Sequence, residues 1–146
     1  MNSCLFCEIV SGSRPGATVF RDEVCLALMD LFPVSAGHVL VIPVRHAVLL
    51  EELTGVERSH ILEAAVRIMK AQKAAGLGSG VNLLVNDGKA ANQHIPHVHV
   101  HLVPRRTGDT LSTLLQFVSR GFGVFGAASH VAQLEATALR IRENIP

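Results

Sequence analysis

Residues 97–101 alternate histidine with valine, and Leu102-Val103-Pro104-Arg105 follow directly. In an extended strand, successive side chains point to opposite faces. His97, His99 and His101 then share one face, with Val98, Val100 and Leu102 on the other. The apolar set can enter a core and leave three imidazoles lined up toward a cleft. A half-buried strand also needs polar residues on its wet face, and histidine can fill that role. Threonine, lysine or glutamate would serve there equally well, so three histidines in register read as a site. Imidazole titrates near neutrality and can act as nucleophile, proton carrier, phosphate donor or metal ligand.

At 146 residues, with 49% hydrophobic and 17% charged, the chain fits one globular domain over 1–146. Its core is expected at 4–105, with a C-terminal extension at 106–146. Turn residues at 12–16 precede expected strands at 18–21, 24–30 and 38–43. A short helix is expected at 48–53. The strongest helix runs over 55–75: Thr54 and Glu57 have the spacing of a capping box, and Ile61, Ala64, Ala65, Ile68 and Met69 form an apolar stripe. Gly76 is placed to end it. Strands at 81–85 and 97–103 follow, then helices at 110–119 and 131–145, with a Gly-Phe-Gly connector at 121–126. Strands, a helix and more strands give an α+β fold, an antiparallel sheet with the long capped helix and the C-terminal helix packed against it.

Thirteen basic and twelve acidic residues leave a net charge of +1, and no basic run exceeds Arg105-Arg106. With no Trp or Tyr for base stacking, nucleic acid is not an expected partner. No stretch has the apolar length to span a bilayer, and the N-terminus lacks a signal-peptide pattern. Three cysteines do not form a disulfide framework. The expected setting is the cytoplasm, without a membrane partner.

The loop before the histidines carries Asn86, Gly88 and Gln93. Asn86 and Gln93 can donate amide hydrogen bonds to an anion without adding charge, and Gly88 allows close backbone approach. That set suits a phosphoryl group. No Walker loop and no Gly-x-Ser-x-Gly elbow occurs, so a nucleophile would have to be histidine itself. Cys4-x-x-Cys7 offers two thiolates at metal spacing, or two small buried hydrophobes. Cys25 lies in mid-strand and reads as core. His60 and His130 read as solvated or capping residues.

The string from Asn86 through Gln93-His94-Ile95-Pro96-His97-Val98-His99-Val100-His101 to Arg105 resembles the signature of the histidine-triad (HIT) superfamily. Upstream, Phe6-Cys7-Glu8-Ile9, Asp30, the 37–43 run and His46 resemble the N-terminal half of Hint-like and Fhit-like members. The resemblance covers about 4–105 and implies a HIT-like fold and a nucleotide hydrolase or transferase. It implies that His99 attacks the α-phosphorus of a nucleoside 5′-phosphoryl substrate and that His101 assists at the phosphate. It assigns Asp30 to ribose hydroxyls, Asn86 and Gln93 to phosphate or the chain beyond it, and Phe6, Ile9, Leu28 and Leu31 to a purine slot. It also completes a structural zinc site, Cys4, Cys7, His46 and His97, and implies a homodimer. Two positions depart from the pattern. His94 stands where eukaryotic members carry Ser or Thr, and Asn92 where Gly is usual. The expected substrate is a purine nucleoside phosphoramidate or related nucleoside monophosphate ester. The alternatives are a Fhit-like dinucleoside polyphosphate hydrolase, or a zinc-stabilised nucleotide sensor with little turnover.

Overall fold

The frame of the molecule is a five-stranded sheet in the order β1-β2-β3-β5-β4, antiparallel throughout. The strands are β1 Thr18–Arg21, β2 Cys25–Met29, β3 Val39–Pro43, β4 Gly80–Val85 and β5 Val100–Arg105. Helices α1 Leu5–Val10, α2 Gly55–Ala74, α3 Thr110–Gly121 and α4 Val131–Arg142 complete the fold, with a 3₁₀ turn at Leu50–Glu52 in place of the short helix expected there. The computed structural model describes residues 4–121 and 131–146. Nearly all of the glycine-rich connector expected at 121–126, and His130, lie outside the described residues.

Helix α2 forms as its sequence dictates. The Thr54 hydroxyl accepts from the Glu57 amide at 3.2 Å, and the Glu57 carboxylate accepts from the Thr54 amide at 2.7 Å. Two otherwise unpaired backbone donors are thereby satisfied. Ile61, Ala64, Ala65 and Ile68 are buried against the sheet, with Val41, Val100 and Leu102 in the same cluster. Each large aliphatic chain buried there contributes about 1.5–3 kcal/mol. Gln72, fully buried on this helix, donates to the carbonyls of Gly37 and Leu102 at 2.8 and 3.2 Å. It ties the entrance of β3 to the middle of β5. Gly37 needs its lack of side chain, because its φ is +85° and a Cβ would lie 2.7 Å from Leu77 Cδ1.

The opposite sheet face carries a smaller cluster of Phe6, Leu26, Leu28, Leu40 and Ile42. Helix α1 covers it through Phe6. Leu28 pairs with Leu40, and Leu40 with His101, so apolar and imidazole side chains form one cross-strand row.

The histidine strand begins later than its alternation implies. The His97 amide turns back to the Ile95 carbonyl at 2.8 Å, and the Val98 amide donates to Ala47 rather than to a neighbouring strand. Ladder pairing starts only at Val100. The alternation of faces survives this: Val98, Val100 and Leu102 lie in the α2-side core. Among the described residues no helix is long and apolar enough to cross a membrane.

Candidate active site

A cavity of about 780 Å³ opens on the α1 face, and both His99 and His101 line it. The antiparallel order fixes its two ends. The β2–β3 connection, with Asp30 and Leu31, leaves one end of the strands; the β4–β5 loop, with Asn86, Asn92 and His94, leaves the other. The two histidines stand between them.

Backbone and histidine partners set the tautomers. His99 Nδ1 lies 2.7 Å from the His97 carbonyl oxygen, which can only accept, so Nδ1 carries the proton and Nε2 a lone pair. His101 is the reverse. The Val34 amide donates to His38 Nδ1 at 3.2 Å, so His38 bears its proton on Nε2 and donates to His101 Nδ1 at 3.0 Å. His101 therefore carries its proton on Nε2. The Asp30 carboxylate lies 3.5 Å from His38 Nδ1, as in an ion pair. The amide already directed at that nitrogen favours neutral His38. Asp30 instead accepts from the Phe32 amide at 2.9 Å. The His99 and His101 rings meet edge to face at 4.9 Å. The site thus presents a nucleophilic nitrogen beside a hydrogen-bond donor, the combination that displacement at phosphorus requires.

Phe6, Ile9, Leu28 and Leu31 all line the cavity, with Asp30 and Asn86. Gly16 keeps the apolar end open: a Cβ there would meet Ile9 Cγ2 at 3.1 Å. Gln93 lies elsewhere than the sequence implied. Its Oε1 accepts from the Gly88 amide at 2.8 Å and its Nε2 donates to the Val48 carbonyl at 2.8 Å, so it closes the loop and does not line the cavity. The wall on that side is Asn86, Ala91, Asn92 and His94, with Asn92 in the left-handed region at φ 62°.

Two further features of the site are not evident in the sequence. His38, for which the family resemblance implies only loop packing, orients His101 through its Nε2. Helix α4 contributes Val131, Leu134 and Glu135. Its amphipathic pattern announces a helix but not where that helix docks.

Cys4, Cys7, His46 and His97 come together as a second cluster, all four donor atoms within 4.8 Å of one another. His97 Nδ1 lies 3.4 and 3.7 Å from the two sulfurs, and His46 Nδ1 lies 3.2 Å from Cys7 Sγ. Tetrahedral zinc bonds of about 2.0–2.3 Å put neighbouring ligand atoms roughly 3.3–3.8 Å apart. His97 Nε2 donates to the Pro43 carbonyl at 3.0 Å, which leaves Nδ1 as the lone pair facing the sulfurs. Burial pushes the His97 imidazole below its ordinary value, and the neighbouring His46 adds to this. Neutral imidazole is the ligand form. The residues fit zinc. By contrast Cys25, pushed up to about 12 by burial and then by Asp22, is an inert core thiol.

The profile of the HIT domain matches residues 11–108. An uncharacterized HIT-like protein from Mycobacterium tuberculosis is 38% identical over 109 residues, which span 75% of this chain and 76% of that protein. The adenosine 5′-monophosphoramidase hnt1 of Schizosaccharomyces pombe is 39% identical over 103 residues, 70% of this chain and 74% of that one. A zinc-bound histidine triad family protein from Mycobacterium smegmatis superposes with a TM-score of 0.80 at 33% identity, covering 98% of this chain and 93% of the other.

Proposed function

The chain belongs to the HIT-domain family, and from that premise we propose that it is a nucleotide hydrolase that cleaves purine nucleoside phosphoramidates or related nucleoside monophosphate esters. The observation that carries this reading is the opposed pair of tautomers in the cavity. His99 Nε2 attacks the α-phosphorus, and a phosphorus–nitrogen bond forms as the bond to the leaving group breaks. The departing amine or alkoxide takes up a proton from solvent, which the attacking water of the next step returns. Water then hydrolyses the phosphorus–nitrogen bond, releasing the nucleoside monophosphate and restoring His99. His101 donates from Nε2 to a phosphoryl oxygen as charge develops there.

The nucleoside lies toward Asp30 and the apolar wall of Phe6, Ile9 and Leu28, and the leaving group toward Asn86 and His94. An amide and an imidazole at that end suit a polar leaving group. Cys4, Cys7, His46 and His97 would hold zinc as a closed structural site, which would tie the N-terminal segment to the sheet. We propose a homodimer on the family resemblance; light scattering on the purified chain at a monomer mass would reject it. Support for the substrate class comes from the phosphoramidase named among the relatives.

The test is a comparison of kcat/KM for an adenosine phosphoramidate and for diadenosine polyphosphates. Greater efficiency on the phosphoramidate is expected. Greater efficiency on the polyphosphates overturns the assignment in favour of a dinucleoside polyphosphate hydrolase, and tight nucleotide binding without turnover favours a sensor.

A further inference from the structure

Helix α4 lies beyond residue 108, where the family match ends, yet it forms part of the cavity wall. Its placement is fixed by three buried side chains, Leu134, Ala138 and Ile141, and by two terminal cations. Arg142 Nη1 donates to the Thr18 carbonyl at 2.7 Å and Arg140 Nη2 to the Ala75 carbonyl at 2.5 Å. The helix is thereby held against β1 and the end of α2. The residues that reach the cavity, Val131, Leu134 and Glu135, belong to its first turns, and Glu135 is exposed to the cavity space.

Ala17, Met29, Asp30 and Leu31 line the same cavity, and all four leave the sheet at the β2–β3 end. This is the nucleoside end under the proposed function, on which the present inference rests. The cavity therefore carries two carboxylates. Asp30 is buried, with one oxygen accepting from the Phe32 amide; Glu135 is exposed and projects from a helix anchored elsewhere. A carboxylate accepts hydrogen bonds and repels anions.

We propose that Glu135 sets the selectivity of the nucleoside end: it accepts a hydrogen bond from a neutral donor of the nucleoside and excludes nucleotides that carry a phosphate there. The donor is a sugar hydroxyl, the group that a further phosphate would replace, and a base amino group is the alternative the test separates. Either meets the same acceptor, and analogues lacking one or the other separate them.

The test uses the full-length chain, with binding of adenosine 5′-monophosphate and of adenosine 3′,5′-bisphosphate measured by calorimetry. Glu135 is exposed, so Glu135→Ala and Glu135→Gln should keep the wild-type melting temperature. The wild type is expected to prefer the monophosphate. Glu135→Ala should weaken monophosphate binding roughly fivefold to tenfold, the loss of about one hydrogen bond. Glu135→Gln should tighten the bisphosphate and narrow the preference. If the Glu135→Ala loss disappears with 2′,3′-dideoxyadenosine monophosphate, the donor is the sugar; if it disappears with purine riboside monophosphate, the donor is the base amino group. The same ratio of affinities in all three proteins overturns the proposal while leaving the hydrolase reading intact. Failure of the wild type to bind either nucleotide overturns both.

Discussion

His99 Nδ1 donates to the carbonyl oxygen of His97 across 2.7 Å, so a residue of the metal-type cluster fixes the tautomer of the candidate nucleophile. Two neighbouring positions of one segment act in series. The His97 side chain faces the sulfurs, and its backbone turns the next imidazole of the triad so that Nε2 meets the cavity.

Replacement of His99 should abolish chemistry while leaving the pocket. His99→Ala is expected to lower kcat by at least roughly 10³-fold, as for other enzymes that lose their nucleophile. Acid quench of the wild type during turnover should trap a nucleotidyl adduct, which mass spectrometry finds on His99 and not in the variant. An adduct in His99→Ala would exclude the mechanism.

His38 touches no wall of the cavity and acts through His101. His38→Asn should lower kcat about tenfold or more, approaching the cost of losing a donor to a developing oxyanion. KM should change little and the pH–rate profile should move. If kcat and the profile are both unaltered, His38 has only a packing role. Asn Oδ1 can still accept from the Val34 amide, but buried His101 Nδ1 loses its donor, so a stability loss of about 1–3 kcal/mol should accompany the variant in thermal melts.

Elemental analysis should find about one zinc per chain, lost in Cys4→Ser. Phe6 sits between the two cysteines in sequence and packs edge-on to His97 and His99, at 5.7 and 5.4 Å. Loss of metal should therefore loosen the apolar end of the cavity and raise KM more than it lowers kcat. Protein prepared without chelators that is metal-free and melts at the same temperature as Cys4→Ser would refute the site.

Acid should weaken the fold partly through the cap of α2. The Arg45 guanidinium, and then the Thr54 amide and hydroxyl, hold the Glu57 carboxyl at about 2, below its ordinary 4.5. The unfolded chain thus takes up this proton more readily than the folded one. The stabilisation is complete above about pH 4.5 and is lost as the pH falls through about 2. In Glu57→Gln the melting temperature should depend less steeply on pH across that window, with no difference in slope above pH 6.

The elements that can be read from sequence are those whose signals are local. The capping box at Thr54 and Glu57 marks where α2 begins, and the histidine–valine alternation assigns both faces of the triad segment although the ladder begins only at Val100. Helix α1 was not legible. It spans only Leu5–Val10, its cap Cys4 makes no side-chain capping bond, and it is held by contacts to residues some ninety positions away. Gln93 misled for the same reason, since the carbonyl its amide meets belongs to Val48. The relay through His38 joins residues 63 positions apart. Composition and spacing state which groups a chain owns; tertiary partners decide which way an amide or an imidazole turns.

Phe6 lies between two cysteines and against two histidines, in a helix that also supplies Leu5 and Ile9 to the cavity wall. One and a half helical turns therefore serve the Cys/His cluster and the cavity wall at once. Change in this helix is confined: a residue altered to reshape the cavity must leave the Cys4, Cys7, His46 and His97 cluster undisturbed, and of the wall residues on this helix only Leu5 and Ile9 are clear of it. Divergence in what such a chain accepts is channelled toward the opposite loop, at Asn92 and His94, and toward the appended helix, where a substitution risks neither the two cysteines nor the triad.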